Sequence, residues 1–184
     1  KAYFLYGEFL HKIMVPSASL TDYMHLLYPR YDQEEYNSIH LRMGGEIADV
    51  PVFIVFMPPS ALGTIIKCIK TLGDEKRIYV ASDSVIMKEM LSKNLTSYEL
   101  IYSTNATIPA NTQMLKDDIV SYATFSAVAE MYILGNGKRC LMTPRSTYSL
   151  AACALTGRKP IIIDHNSMSC SSTIHTAYVN SFVC

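Results

Sequence analysis

The chain has 184 residues, 49% of them apolar and 17% charged, which fits one folded domain or one lobe of a larger enzyme and excludes a disordered tail or a fibrous repeat. Sixteen Lys and Arg balance sixteen Asp and Glu, so no overall field draws in nucleic acid or an anionic membrane; any bound anion has to be held by a local cluster. The longest apolar runs fall far short of the ~18–20 residues of a membrane span.

The chain starts at Lys1 directly in an apolar helical pattern, without a signal segment, and we expect it to begin in the middle of a longer protein. Tyr3 to Met14 reads as a buried helix or a strand-helix entry, ended by Pro16. Ser17 to Ser19 offer hydroxyl caps, and Asp22, three positions after Ser19, completes a capping box; the helix runs to about Tyr28. Ser38 to Met43 alternates as a short strand, with His40 and Arg42 on one face, and Gly44-Gly45 releases the chain. Val52 to Met57 reads as a buried strand, Ser60 to Leu72 as a helix stopped by Gly73, Arg77 to Ala81 as a strand, and Ser82-Asp83-Ser84 as a turn. Val85 to Lys93 is a helix, Tyr98 to Tyr102 a strand, and residues 103–111 a loop. Leu115 to Leu134 is the longest helix. Arg139 to Thr143 is a strand, Pro144-Arg145-Ser146 a turn, Thr147 to Leu155 a small-residue helix, and Pro160 to Asp164 a last strand.

Strand, turn and helix thus alternate at least four times. That pattern predicts an α/β fold, a parallel sheet with helices on both faces, over residues 1–164, of which 1–35 are leading helices; residues 165–184 form a Ser-rich peripheral tail. Ligands of such sheets bind at the carboxyl ends of the strands. The residues to watch are therefore 42–46, 82–84, 144–149 and 164–166.

Three of these segments carry usable chemistry. In His40-Leu41-Arg42-Met43-Gly44-Gly45-Glu46 a strand delivers an imidazole and a guanidinium, and the guanidinium fork fits phosphate oxygens. The plain alternative is a core histidine and an arginine paired with Glu46 or Asp49. After the strand from Arg77 to Ala81, Asp83 offers acceptors to a ribose or a base edge, unless Ser82 or Asp83 merely caps the helix. In the third segment Ser146, Thr147 and Ser149 gather at a helix N-terminus, where backbone N–H groups and the dipole favour phosphate; the alternative is an N-cap with a polar turn.

Other features are weaker. Gly135-Asn136-Gly137-Lys138 lacks the first glycine of a P-loop, and no Gly-x-Ser-x-Gly elbow supports a Ser-His-Asp triad. His165, Cys170 and His175 make only a loose metal set in the tail. Cys68, Cys140, Cys153, Cys170 and Cys184 include no C-x-x-C pair, and the odd count leaves a free thiol in a monomer. Asn94-Leu95-Thr96 and Asn105-Ala106-Thr107 are glycan acceptors only in a secretory lumen, so the compartment stays open between that lumen and the cytoplasm.

In this order, the three sites resemble the nucleotide-sugar half of GDP-fucose fucosyltransferases, over roughly residues 36 to 160. The run from His40 to Glu46 is similar to the arginine motif of the protein O-fucosyltransferase and α1,2/α1,6-fucosyltransferase group. Ile78-Tyr79-Val80-Ala81-Ser82-Asp83 is similar to that group's second motif. Glu130, followed by Ser146-Thr147-Tyr148-Ser149, is similar to its third. The departures are Glu46 for Asp, Tyr148 for Phe, and Met43 where the α1,2 and α1,6 branches carry a second Arg. The resemblance implies the C-terminal Rossmann-like lobe of a GT-B glycosyltransferase, with an N-terminal lobe lying elsewhere in the protein. It implies inverting transfer of fucose from GDP-fucose to a glycan or protein hydroxyl, without a metal or other cofactor. Arg42 is then the catalytic cation, and His40 contacts nucleotide or phosphate. Ser82 and Asp83 lie at the guanine or ribose, Ser146, Thr147, Tyr148 and Ser149 at the phosphates, and Glu130 supports that loop. The alternative is a non-catalytic nucleotide-sugar-binding or interaction domain that keeps the fold.

Overall fold

The structure, a computed structural model, describes residues 2–47, 50–55, 57–102 and 117–172. The expected loop over 103–111, the Asn105 triplet, Asp49, His175 and Cys184 lie outside the described residues. In chain order the elements are α1 (Ala2–Ile13), α2 (Ala18–Leu27), β1 (Asn37–Leu41), β2 (Gly44–Ile47), β3 (Val50–Val55), a short 3-10 turn, α3 (Leu62–Lys70), β4 (Arg77–Ser82), α4 (Val85–Asn94), β5 (Glu99–Tyr102), α5 (Asp117–Asn136), β6 (Cys140–Met142), α6 (Thr147–Leu155), β7 (Pro160–Asp164) and β8 (Ser169–Ser171).

Six strands form one sheet in the order β5-β4-β1-β6-β7-β8. All pairs are parallel except β7–β8. Strand alternation sends side chains to two faces. On one face Ile39, Leu41, Ile78, Val80, Leu141 and Ile163 pack with Ile65, Cys68 and Ile69 of α3 and Met87 and Leu91 of α4. On the other, Tyr79 and Ala81 pack with Leu20, Met24 and Leu27 of α2, Ala129 and Ile133 of α5, and Ala152 of α6. Each aliphatic side chain removed from water here contributes about 1.5–3 kcal/mol, and helices cover both faces as the parallel pattern requires.

The main elements follow the sequence pattern; three details differ. The cap of α2 is Ser17, whose Oγ accepts from the Leu20 N–H at 3.3 Å, not Ser19 with Asp22. The segment read as a buried strand from Val52 to Met57 is instead β3, paired antiparallel with β2 outside the main sheet. Gly44 (φ 73°) turns the chain straight from β1 into this hairpin, and the Met57 N–H returns to the Met43 carbonyl at 3.4 Å to close its base. Within the residues read as a tail, Ser169–Ser171 adds an antiparallel edge strand, held by the Cys68–Cys170 disulfide to α3. A second disulfide joins Cys140 of β6 to Cys153 of α6.

Helix α6 is tightly enclosed over its second half. Ala152, Cys153, Ala154 and Leu155 are all buried. Small residues let its neighbours come close: a Cβ on Gly135 of α5 would strike the Ala152 carbonyl, and one on Gly7 of α1 would sit 2.6 Å from the Ala154 carbonyl oxygen. This packing fixes where the N-terminus of α6 points. Gly135→Ala should therefore lower stability by about 1–3 kcal/mol, because α5 has to move off α6. Gly63→Ala, on α3 with nothing within 4 Å of the added carbon, should be neutral or gain up to about 1 kcal/mol. Thermal unfolding of the two variants separates packing from helix propensity.

Candidate functional site

The strand order reverses around β1. From β1 the chain builds outward through β4 to β5, then returns to the opposite side of β1 with β6 and continues to β7. The carboxyl ends of β1 and β6 therefore flank a topological switch point, the usual ligand crevice of an open parallel sheet. Residues 42–44 leave β1 there, residues 143–149 leave β6, and residues 82–84 leave the adjacent β4.

Asp83 ties the first and last of the β1 and β4 segments together. Its side chain is 5% exposed and pairs through Oδ2 with Arg42 Nη1 at 3.2 Å. Oδ1 also accepts from the Met43 N–H at 2.8 Å, and Oδ2 from the Gly44 N–H at 3.3 Å. Ser82 Oγ donates to the Leu41 carbonyl at 2.9 Å and accepts from the Ser84 N–H at 3.2 Å. The cap of α4 is Ser84, which accepts from the Met87 N–H; Ser82 and Asp83 serve the β1 turn instead. Arg42 thus pairs with Asp83, a partner not considered from sequence; Asp49 and the side chain of Glu46 lie outside the described residues. The Arg42 side chain is 26% exposed.

On the β6 side, Thr143 Oγ1 accepts from the Arg42 N–H at 2.8 Å and donates to the His40 carbonyl at 3.2 Å. Sequence reading passed over this residue; the only signal was a hydroxyl at a strand end. His40 is 8% exposed, and its Nδ1 lies 2.5 Å from Ser149 Oγ. The ring of Tyr148 stands 4.9 Å from the imidazole, centroid to centroid. Burial first, and the Arg42 charge second, push the His40 pKa down to about 3, so the imidazole is neutral at ordinary pH.

Ser146 caps α6 by accepting from the Ser149 N–H at 3.3 Å. Arg145 before it adopts a left-handed conformation (φ 61°), which turns the chain sharply into the helix. Thr147 is exposed at the first helical position. Tyr148 donates to the Ala127 carbonyl at 2.6 Å, and its pKa is held well above the usual phenol value by burial and then by the charge of Glu130. Glu130 is buried on α5 and accepts from the Tyr79 hydroxyl at 3.5 Å. It stands behind Tyr148, a layer away from the crevice.

The structure therefore brings the predicted residues into two linked groups. His40, Tyr148 and Ser149 touch directly; Arg42, Asp83 and Ser82 form the second group around the β1 turn. Thr143 joins the two through the backbone. The metal set proposed from sequence does not form: Cys170 is bonded to Cys68, and among the described residues no group of three or more His, Cys, Asp or Glu side chains could hold an ion. Asp164 accepts from the Asn166 and Ser167 N–H groups and the Ser167 hydroxyl, which lower its pKa and make it a turn-builder.

A serine against a histidine also suggests a nucleophile and its base. The environment argues against it: Ser149 is fully buried within the first turn of α6, and an imidazole with a pKa near 3 is too weak a base to activate a hydroxyl. The pair is a brace that orients the imidazole.

No protein-family model and no curated protein matches the chain. Solved structures do. A crystal structure of the NodZ alpha-1,6-fucosyltransferase co-crystallized with GDP is similar with a TM-score of 0.57 at 14% identity, covering 84% of this chain and 47% of that one. A selenomethionine crystal structure of the fucosyltransferase NodZ from Bradyrhizobium is similar with a TM-score of 0.54 at 15% identity, covering 80% of this chain and 44% of that one. The chain spans about half the length of these proteins. At such identities the likeness is one of fold: an α/β sheet of mostly parallel strands like that of a GT-B-type fucosyltransferase.

Two outcomes follow from the His40 geometry. Ser149→Ala leaves a buried imidazole nitrogen without its partner and should cost about 1–3 kcal/mol in urea unfolding. The depressed His40 pKa also sets a pH dependence. The unfolded imidazole takes up a proton near pH 6.5, whereas the folded one resists to about 3. The contribution is whole above about pH 6.5 and is lost as pH falls toward 3. Replacing His40 by Gln should flatten the wild-type decline of the urea midpoint across that window.

Proposed function

We propose that the crevice between the ends of β1 and β6 binds the diphosphate of GDP-fucose, and that the chain is the donor-binding lobe of a fucosyltransferase. One observation carries the reading. At the switch point the Arg42 charge acts on His40, His40 contacts Ser149, and Ser149 lies in the first turn of α6. A cation, a neutral imidazole and a helix N-terminus together suit a diphosphate. The GDP co-crystallized with NodZ is a ligand of the same class on a similar fold.

In this reading the acceptor hydroxyl, on a glycan or a protein, attacks the anomeric carbon from the face opposite the leaving group. The C1–O bond to the diphosphate breaks, its electron pair passes to the diphosphate, and the acceptor proton goes to a base supplied from outside this lobe. Negative charge grows on the departing phosphate. Arg42 is the catalytic residue because a preorganised cation contributes most where charge develops; it and the dipole of α6 supply the countercharge in a metal-independent step. His40 offers a hydrogen bond to the nucleotide, and Ser146 and Thr147 meet phosphate oxygens. Ser149 and Tyr148 hold the imidazole, and Glu130 braces Tyr148. Asp83 and Ser82 are positioning residues for Arg42.

The first test is thermal unfolding with GDP. At 100 times the dissociation constant the ligand should stabilise by about 2.7 kcal/mol. Arg42→Ala and Arg42→Lys should each lose most of this shift, since an ammonium does not replace the fork; their melting without ligand, measured alongside, separates binding from folding. With full-length protein and GDP-fucose, Arg42→Ala should slow GDP release by about 10²-fold or more. Melting unchanged by GDP would overturn the reading. Binding without turnover would leave a non-catalytic nucleotide-sugar-binding domain.

A further inference from the structure

Two independent features of the chain point to one compartment. The first is the pair of disulfides. Cys68–Cys170 and Cys140–Cys153 have Cα separations of 5.6 and 6.0 Å, and Cys68, Cys140 and Cys153 are buried in the core. Structural pairs of this kind persist in oxidising compartments and are rare where thiols are kept reduced. The second is the triplet Asn94-Leu95-Thr96, an acceptor for N-linked glycans in the secretory lumen.

The geometry of the triplet suits modification of the folded chain. Asn94 is the last residue of α4 and is exposed. Leu95 is buried and turns the chain out of the helix (φ −117°, ψ 46°), which leaves Thr96 exposed in the turn. Asn94 Nδ2 donates to the Met90 carbonyl at 2.8 Å. An amide nitrogen carries two hydrogens; one serves this bond, and replacing the other with a sugar leaves the bond intact. Helix α4 starts at Ser84, beside the crevice, and ends at Asn94, at the opposite end of the sheet. A glycan there projects away from Arg42 and Ser149.

We propose that Asn94 is an N-glycosylation site, occupied during passage of the protein through a secretory lumen. The co-reactant is a lipid diphosphate oligosaccharide. The Asn94 Nδ2 forms a bond to the anomeric carbon, the bond from that carbon to the diphosphate oxygen breaks, and the lipid diphosphate leaves with the electron pair. One amide proton passes to a base of the transferring enzyme. No oxidant or reductant enters. The proposal does not depend on the donor reading.

The experiment expresses the full-length protein in cultured eukaryotic cells and treats it with peptide N-glycosidase. It is done in an Asn105→Gln background, which silences the other triplet of these 184 residues, and it reads the mass of the proteolytic peptide that contains Asn94. Loss of the mass of one glycan on digestion is the expected result, retained in Thr96→Ser and abolished in both Thr96→Ala and Asn94→Gln. Thr96 is an exposed turn residue, so its variants fold. No change on digestion, or a change that survives Thr96→Ala, overturns the proposal.

Discussion

The site depends on one buried carboxylate. Asp83 is almost out of water, where an uncompensated charge is expensive. Two main-chain N–H groups and one guanidinium compensate it, so three groups from the β1 turn converge on one side chain of the β4 turn. Main-chain donors cannot swing away as side chains do. The backbone just after Arg42 and the Arg42 head are therefore fixed by the same residue.

The second constraint concerns charge. Burial and the neighbouring guanidinium act on His40 in the same direction, so the crevice holds one fixed cation and one neutral imidazole instead of two cations. Two positive charges at this distance would repel each other in the absence of an anion. The neutral ring instead takes a defined place between Ser149 and Tyr148. The positive end of α6 adds attraction for an anion without a further buried ion.

The layered fold was legible because its elements obey simple periods. Ile78 and Val80 against Tyr79 and Ala81 split between two faces, as alternation predicts, and Gly135 and Gly157 mark helix ends within a residue or two. The convergence of residues 42–44, 82–84 and 143–149 at one end of the sheet was legible from the parallel strand pattern. Pairings between distant residues were not. Nothing in the sequence near Arg42 points to Asp83, forty-one residues on; parallel pairing of β1 with β4 brings the two together. The β2–β3 hairpin was missed because Val52 to Met57 has the apolar look of a buried strand, while the turn at Gly44 that diverts it depends on Asp83. The disulfides were hidden for the same reason, since 102 residues separate Cys68 from Cys170. Thr143 carried no pattern at all.

The cross-links explain how half the length of a larger fold type can hold such a geometry. A site made of strand ends and one helix N-terminus is only as fixed as the helix. Helix α6 is walled by α5 and α1 through backbone contacts at Gly135 and Gly7, and Cys153 bonds it to β6, the strand that leads into it. On the far face, Cys68–Cys170 secures α3 to the edge strand β8. In the chain-entropy account, closing a loop of about 100 residues removes roughly 4–5 kcal/mol of unfolded-state freedom, and a loop of about 15 roughly 3. Neither bond touches the crevice, so both stabilise its frame without adding a group that competes for a ligand. The rigidity of the Arg42 turn and of the turn into α6 thus comes from elements placed behind them.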